Sequence, residues 1–397
     1  MLLIDLTHTA HTRARTGVQR VCRSVYMAGQ KRTALTGCTY DRFEKTWRSL
    51  RGWENTNLAS QVAAEHRGAQ WPVAQRWRGR LQRMFRLRAQ VLTPANGLIV
   101  PEIFSAQTAQ HFPELFRHVN GPKIAVFHDA IALKFPELTP VKTVARFPAY
   151  LQELRQFDGI AAVSEDSRQT LLDYWRWAGI TNAPVVKTIP LAAPLPSFDR
   201  SSEHHKAAGS ARIPIILCVG SIEGRKNHRA LFDAAESLWQ KGLLFELHLV
   251  GMAHPETGRS ALAKLNELQR AGRPIRWDGA VSEAALEEAY ATCDFTVYPS
   301  LMEGFGLPVL ESLHHGKPCI CSARGALGEA AHGGGCLTIE SPGVADLARS
   351  IETVLSDLTL REKLATEALA RPGRTWETYT NELLAFIDEQ RGANGRR

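Results

Sequence analysis

The chain has 397 residues, a hydrophobic fraction of 44%, a charged fraction of 22% and a formal net charge of +8. This is the composition of a soluble globular protein and excludes a disordered, fibrous or coiled-coil chain. At roughly 100–200 residues per domain the length predicts two domains. No apolar run approaches the roughly 18–20 residues of a membrane span. The opening MLLIDLTHTA lacks the charged and long apolar regions of a signal peptide. The seven cysteines are scattered, with no Cys-x-x-Cys pair, and only Cys319 and Cys321 are close. They read as reduced thiols of a cytosolic protein rather than a disulfide frame or a zinc site.

In chain order, a short apolar strand is predicted at Leu2–Leu6, followed by the turn Thr16-Gly17-Val18-Gln19-Arg20 and a helix beginning near Val18. Residues 40–95 are long and irregular for a single strand-to-helix connection and read as an insertion with its own helices. Between His66 and Pro101 there is no acidic residue, while Arg67, Arg76, Arg78, Arg80, Arg83, Arg86 and Arg88 alternate with Trp71, Trp77, Leu81, Met84, Phe85 and Leu87. Trp77, Leu81, Met84 and Arg88 share one helical face. Residues 67–90 therefore have three readings: a solvated helix packed on its own domain, a helix lying on an anionic membrane surface, or a phosphate-binding segment for nucleic acid. Further strands are predicted at Leu98–Val100, Ile124–Phe127, Gly159–Val163 and Val185–Ile189. A Pro-, Ser- and Ala-rich stretch from Pro190 to Pro214 has no helical or strand period and reads as a linker, placed at 194–211.

After the linker, strands are predicted at Ile213–Val219, Leu244–Val250, Ile275–Trp277, Phe295–Tyr298, Cys319–Cys321 and Cys336–Ile339. Helical patterns such as His228–Lys241 and Glu283–Thr292 lie between them. Alternating strands and helices predict α/β architecture: two doubly wound parallel sheets, residues 1–193 and 212–373, with a cleft between them. Ligands of such sheets bind outside the carboxyl ends of the strands, so motifs belong just after strands. The charge divides unevenly. Residues 1–190 carry 26 Lys and Arg against 14 Asp and Glu, a net +12, and residues 191–397 carry a net −4.

The strongest motif, Glu303-Gly-Phe-Gly-Leu-Pro-Val-Leu-Glu311, follows the predicted strand Phe295–Tyr298. Gly304 and Gly306 permit a close turn, Pro308 suits the first turn of a helix, and the N–H groups of Phe305, Gly306 and Leu307 are suited to an anion. Glu303 and Glu311 can reach different parts of one extended ligand; taken singly, Glu311 reads as a solvated helix residue and Glu303 as a partner of the helix dipole. The second motif, Val219-Gly220-Ser221-Ile222-Glu223-Gly224-Arg225-Lys226-Asn227-His228, joins a strand to a helix. Arg225 and Lys226 suit a diphosphate, one as a fork and the other as a point charge, unless they form only a solvated basic turn. Asn227 reads as the cap of the following helix. His128, after the strand ending at Phe127, can donate to a hydroxyl or phosphate or relay a proton. Ser164 and Ser167 read equally well as a helix cap and as a ligand contact. No histidines have zincin spacing and there is no Asp-x-Asp motif, Asp5, Asp129 and Asp158 being isolated in sequence. No metal site and no cofactor are expected.

These segments together resemble glycosyltransferase family 4, whose fold is GT-B, two facing Rossmann-like domains. The resemblance runs through Phe127–Asp129, Val163–Ser167, Val219–His228, Glu303–Glu311 and Gly325-Ala-Leu-Gly-Glu329, and the region after Arg371 resembles the family's crossover helix (about 374–397) that completes the first domain. The E-x7-E pattern is met by Glu303 and Glu311. The resemblance implies a metal-independent, retaining transfer of a sugar from a GDP- or UDP-linked donor to a saccharide or lipid-linked acceptor in cell-surface polysaccharide or lipopolysaccharide assembly. Mannose from GDP-mannose is the leading donor. The implied donor site is Gly17, Gly220, Ser221, Arg225, Lys226, Glu303, Gly304, Phe305, Gly306, Leu307 and Glu311. Within it Glu311 would take the ribose, Glu303 the sugar hydroxyls, and Arg225 with Lys226 the diphosphate, with His128 beside the transferred sugar. Two departures stand out: a single Gly17 where the family often has a Gly-Gly pair, and Leu327-Gly328-Glu329 where Leu-Pro-Glu is common. Retention is compatible with same-face attack or with double displacement, and no obvious nucleophile is present. The competing readings are another nucleotide-sugar reaction on the same fold, such as epimerisation, and a non-catalytic basic scaffold. For the +12 half, an anionic lipid surface or lipid-diphosphate acceptor explains the charge better than nucleic acid.

Overall fold

A computed structural model describes residues 1–60, 68–85, 92–193 and 212–394. The chain separates into two compact units. One comprises Met1–Asp129, Ala145–Leu191 and Trp376–Arg397, the other Ala130–Val144 and Ala192–Thr375. The stretch read as the linker, 194–211, lies outside the described residues, as do Arg67, Arg86 and Arg88.

The first unit holds strands β1 (Leu2–Asp5), β2 (Leu35–Asp41), β3 (Thr46–Ser49), β4 (Leu98–Val100), β5 (Lys123–Phe127), β6 (Gly159–Ala162) and β7 (Val185–Thr188). They form one sheet in the order β3-β2-β1-β4-β5-β6-β7. All neighbours are parallel except β2 and β3. Central strands buried on both faces need continuous apolar runs, which is why β1, β4 and β5 were legible. The β2–β3 hairpin was not, because Leu-Thr-Gly-Cys-Thr-Tyr-Asp has neither an apolar run nor alternation. The expected insertion therefore begins as ordered sheet. Asp41 turns the hairpin by accepting the N–H groups of Phe43 and Glu44 at 2.9 and 3.1 Å. Its other oxygen takes the buried Arg48 at 3.0 Å. Arg48 in turn grips Glu54 with two bonds of 2.8 and 2.7 Å, and His11 joins Glu54 at 2.8 Å. Burial would raise the Glu54 carboxyl, but Arg48 and His11 hold it down at about 2.

The helix Val73–Met84 lies on this hairpin through an unusual face. Gly79 is its one buried residue, and a Cβ there would stand 2.7 Å from Phe43 Cβ. Gln75 and Gln82 accept from Arg51 at 3.3 and 3.4 Å. The inward side is thus small and polar. Trp77 and Met84 are 59% and 66% exposed, and Val73, Leu81 and Phe85 are exposed beside them. The reading in which the apolar face packs on its own domain is overturned.

The C-terminal helix Trp376–Asn394 belongs to the first unit. Gly159 and Gly97 leave room for it: a Cβ at either would crowd Phe386 or Ile387, at 2.8 and 3.3 Å. Lys187 binds Glu389 at 2.7 Å across the same contact.

The second unit holds β8 (Ile215–Val219), β9 (Glu246–Val250), β10 (Ile275–Trp277), β11 (Phe295–Tyr298), β12 (Cys319–Ser322) and β13 (Cys336–Ile339). Every pairing is parallel, in the order β10-β9-β8-β11-β12-β13. This is the doubly wound order, reversing between β8 and β11. The helix His228–Gln240 covers one face, burying Leu231, Phe232, Ala235 and Leu238 against Ile216, Leu249 and Val297. Among the described residues, no helix is long and apolar enough to cross a membrane.

Asp5, isolated in sequence, is not isolated in the fold. It ends β1 fully buried, accepts the Thr7 N–H at 2.9 Å and feels the buried Glu102. Burial first, then the Glu102 charge, push its carboxyl up from 3.8 to about 7. The folded chain then holds a proton that the unfolded chain releases, so stability falls as pH rises from about 4 to 7. Asp5→Asn keeps the acceptor for Thr7 and removes the charge. It should raise the melting temperature at pH 8 by an amount worth up to a few kcal/mol and leave pH 4 nearly unchanged; a lower value at pH 8 would refute this account.

Candidate functional site

The two halves of the site in the second unit leave neighbouring strands at the reversal point. After β8, Gly220 donates to Val250 O at 2.9 Å and the chain turns through Gly224–Lys226. Asn227 is left-handed (φ 55°). It does not cap the following helix, as expected of it. Its amide donates instead to Pro342 O at 2.7 Å and to Pro299 O at 3.3 Å, tying the turn to the loop after β11. Leu301 N–H donates to Arg225 O at 2.9 Å across the same junction. After β11 the loop runs to Gly306, whose φ of 100° suits glycine, and the helix Leu307–His314 begins there with Pro308 in its first turn.

This geometry brings Arg225, Lys226 and Glu303 into one cluster. Arg225 binds one Glu303 oxygen at 2.7 Å and Lys226 the other at 2.6 Å. Arg225 also holds Glu223 at 2.8 Å. Lys226 donates to the hydroxyl of Tyr298, with its ammonium 4.7 Å from the ring centroid. Two cations meet two carboxylates, so the cluster is charge-balanced. Lys226 is only 7% exposed, which excludes the reading of a solvated basic turn. Burial would raise the Glu303 carboxyl, but Arg225 and Lys226 bring it down to about 2. Burial lowers the Lys226 ammonium against the pull of Glu303. The adjacent His228, buried and without a hydrogen-bond partner, is lowered to about 3 by burial and then by Lys226; it stays neutral.

Glu311 is 4% exposed and accepts from Tyr290 OH at 3.0 Å, so it is not a solvated helix residue. Gly220, Ser221, Gly304, Phe305, Gly306 and Leu307 all lie on the two loops or the helix start that they frame. The sequence reading missed Tyr298, Tyr290, Glu223 and His228. Tyr298 carried a signal, as the last residue of a strand leading into the motif.

The remaining candidates belong to the first unit. Gly17 lies not in a loop but at the first position of the helix Gly17–Arg32, where Thr16 and Gln19 form a reciprocal cap with Thr16 N–H donating at 3.0 Å. A Cβ on Gly17 would meet nothing within 4 Å, so nothing in the chain itself requires glycine there. His128 is buried and its Nε2–H donates to Pro101 O at 2.7 Å. Burial lowers its basicity, only partly offset by that carbonyl, Asp129 and Glu102. The ring is then neutral with Nδ1 as an acceptor. Ser164 caps the helix Glu165–Trp177, accepting from Ser167 N–H at 3.1 Å, and Ser167 donates to His128 O at 2.9 Å.

Comparison with known proteins bears on the fold. Residues 200–371 match the family Glycosyl transferases group 1. The chain superposes on sucrose-phosphate synthase from Thermosynechococcus elongatus with a TM-score of 0.68, at 16% identity over 99% of each chain. Its fold is GT-B, built from Rossmann-like parallel-sheet α/β units. Over 335 residues it is 27% identical to the serotype-specific mannosyltransferase WbdA of Escherichia coli, covering 80% of this chain and 38% of that protein. Over 275 residues it is 28% identical to the O-antigen chain mannosyltransferase B of Escherichia coli, covering 66% of this chain and 68% of that protein. The chain thus spans well under half the length of the first of these relatives.

In this GT-B chain the balanced cluster predicts an asymmetric response. Glu303→Gln leaves Lys226 buried without its counter-charge and should cost about 3–5 kcal/mol. Adding Lys226→Met should recover part of that loss in urea unfolding. A double variant no more stable than the single one would show that the two charges are not coupled.

Proposed function

We propose that the chain transfers a sugar from a nucleotide-diphosphate donor to a saccharide or lipid-linked acceptor in lipopolysaccharide O-antigen assembly, with mannose from GDP-mannose as the donor. The observation that carries this is the Arg225–Lys226–Glu303 cluster outside β8 and β11, where doubly wound sheets bind their ligands, within the segment that matches the glycosyl transferases. The two mannosyltransferase relatives support the choice of sugar and pathway.

In this reading the donor diphosphate replaces Glu303 as the partner of Arg225 and Lys226, which then neutralise the charge that develops on the leaving group. The helix start after Gly306 adds N–H groups. These cations supply the charge, and the reaction proceeds without a divalent metal. Glu303, released from the cations, takes sugar hydroxyls, and Glu311, positioned by Tyr290, takes the ribose. With Glu303 occupied by sugar hydroxyls, the acceptor proton passes to the departing phosphate, which favours same-face attack and a retained configuration. In the first unit, His128 Nδ1 is an acceptor whose chemistry suits a sugar hydroxyl.

GDP, UDP and ADP should be compared by thermal shift, with release of GDP from GDP-mannose as the activity readout. GDP at about 100 times its Kd should stabilise by about 2.7 kcal/mol, and Lys226→Ala should abolish turnover. Stabilisation by none of the three, or normal turnover by Lys226→Ala, would sink the reading.

The helix Val73–Met84 supports a peripheral position on the inner face of the plasma membrane. Its exposed side mixes Trp77, Leu81 and Met84 with Arg76, Arg78, Arg80 and Arg83, and Arg80 stacks 5.7 Å from the Trp77 ring. This combination suits an anionic lipid surface. Replacing Arg78, Arg80 and Arg83 by Gln removes about 1 kcal/mol each and should weaken binding to phosphatidylglycerol vesicles roughly 100-fold. Unchanged co-sedimentation would leave the arginines as plain solvated surface.

A further inference from the structure

The second unit contains a cluster of thiols that the glycosyl-transfer reading does not use. Cys319 and Cys321 are two apart on β12 and so point to the same face of the sheet. Cys336 on β13 stands directly opposite Cys319 in the parallel register. The three sulfurs lie within 4.8 Å of one another, and all three cysteines are free thiols. Cys319 and Cys321 are buried beside Val309, Leu313, Leu327 and Ala368, with Cys336 packed against them.

We propose that these three cysteines form a binding site for a soft, thiophilic metal ion, with Cu(I) as its ligand. The geometry suits it. Three sulfurs about 2.3 Å from one ion lie roughly 4 Å apart, inside the observed spread. Thiolate ligands select Cu(I) and zinc over harder ions. Zinc completes a tetrahedron, and among the described residues no fourth His, Cys, Asp or Glu joins the group. The surrounding face is apolar, which leaves little to hold a fourth, water ligand. A three-sulfur set without one favours Cu(I).

One member of the site is less buried than the others, and its wall is braced. Cys319 and Cys321 are closed off, but Cys336 is only half-buried and follows the turn Gly333–Gly335, in which every residue has positive φ. Arg371 fixes that turn by donating to Ala330 O at 2.9 Å and Gly334 O at 3.0 Å, and Glu367 accepts the Gly335 N–H at 3.0 Å. Beside the turn, the Arg371 guanidinium offsets the Glu367 carboxylate, and the two together hold the backbone next to Cys336. Binding replaces thiol protons with the metal: each coordinating thiolate releases one proton, and neither sulfur nor copper changes oxidation state.

The test uses the whole 397-residue chain, reduced and desalted without oxygen. Cu(I) is supplied as its bicinchoninate complex, and transfer is followed by loss of the chelator colour and by native mass spectrometry. One equivalent should bind. Cys336→Ser and Cys321→Ser should each lose that equivalent, while Cys22→Ser, in the first unit, should keep it. Circular dichroism confirms that the serine variants are folded; Cys336→Ser, at the half-buried position, is the less disruptive. No uptake by the wild-type protein, or uptake unchanged in folded Cys336→Ser, would overturn the proposal. Zinc held more tightly than Cu(I) in a direct competition would overturn the choice of ion.

Discussion

Arg225, Lys226 and Glu303 cannot be buried separately. An isolated ammonium or carboxylate at this depth would have to give up its charge, and Lys226 already titrates lower than it would in water. Because Glu303 accepts from both cations, and Glu223 from Arg225, the group stays ionised without net charge. That balance demands that the turn after β8 and the loop after β11 be built against each other. The bonds from Asn227 to Pro299 and from Leu301 to Arg225 do this, independently of the charges. An anion arriving here meets cations already positioned, with no side chain to recruit from solvent, and its binding must compete with Glu303.

The sheet order explains why the cluster can exist. β8 and β11 are neighbours although residues 220–294 separate them, and the connection from each leaves toward a different neighbour. Between diverging connections the carboxyl ends of the strands are uncovered. A residue just after β8 can then meet one just after β11 at 2.6 Å across 77 residues of chain. The first unit repeats the device at β1 and β4. There Glu102, just after β4, accepts the N–H groups of His8 and Thr9 at 2.7 and 2.6 Å. The same constraint buries Asp5 beside Glu102, with a cost that Thr7 only partly offsets.

How far the sequence could be read follows from the range of each signal. The eleven strands read from apolar runs are all present; the central ones are buried on both faces and must be apolar throughout, while the edge strands β7, β10 and β13 carry enough apolar residues to be read although they are partly exposed. The β2–β3 hairpin escaped because its strands are held by a buried ion pair, Arg48 with Asp41 and Glu54, and polar residues carry no periodic signal. The candidate positions of the second unit are legible as residue types after strands. Their partners are not: no spacing rule tells that Lys226 reaches Tyr298, or that Tyr290 holds Glu311 from another helix. Asn227 was misread for a related reason. A cap is a local inference, and here tertiary carbonyls outcompeted the helix for the amide.

The same limit governs the two features furthest from that cluster. Cys319 and Cys321 are visibly close in sequence, but the third thiol comes from the next strand and is paired only by register. For the helix Val73–Met84 the pattern itself was read correctly as apolar and basic, yet pattern alone cannot say which side faces the protein. Gly79 decides it. With no side chain, it lets the helix backbone settle onto Phe43, and the flanking Gln75 and Gln82 complete a polar seat under Arg51. With that seat occupied, Trp77, Leu81 and Met84 stay exposed among the described residues. An amphipathic helix packed by its glycine and glutamines turns its apolar side, and the arginines between those residues, away from the sheet it sits on, so that a periodic pattern which usually marks a core face here marks an exposed one.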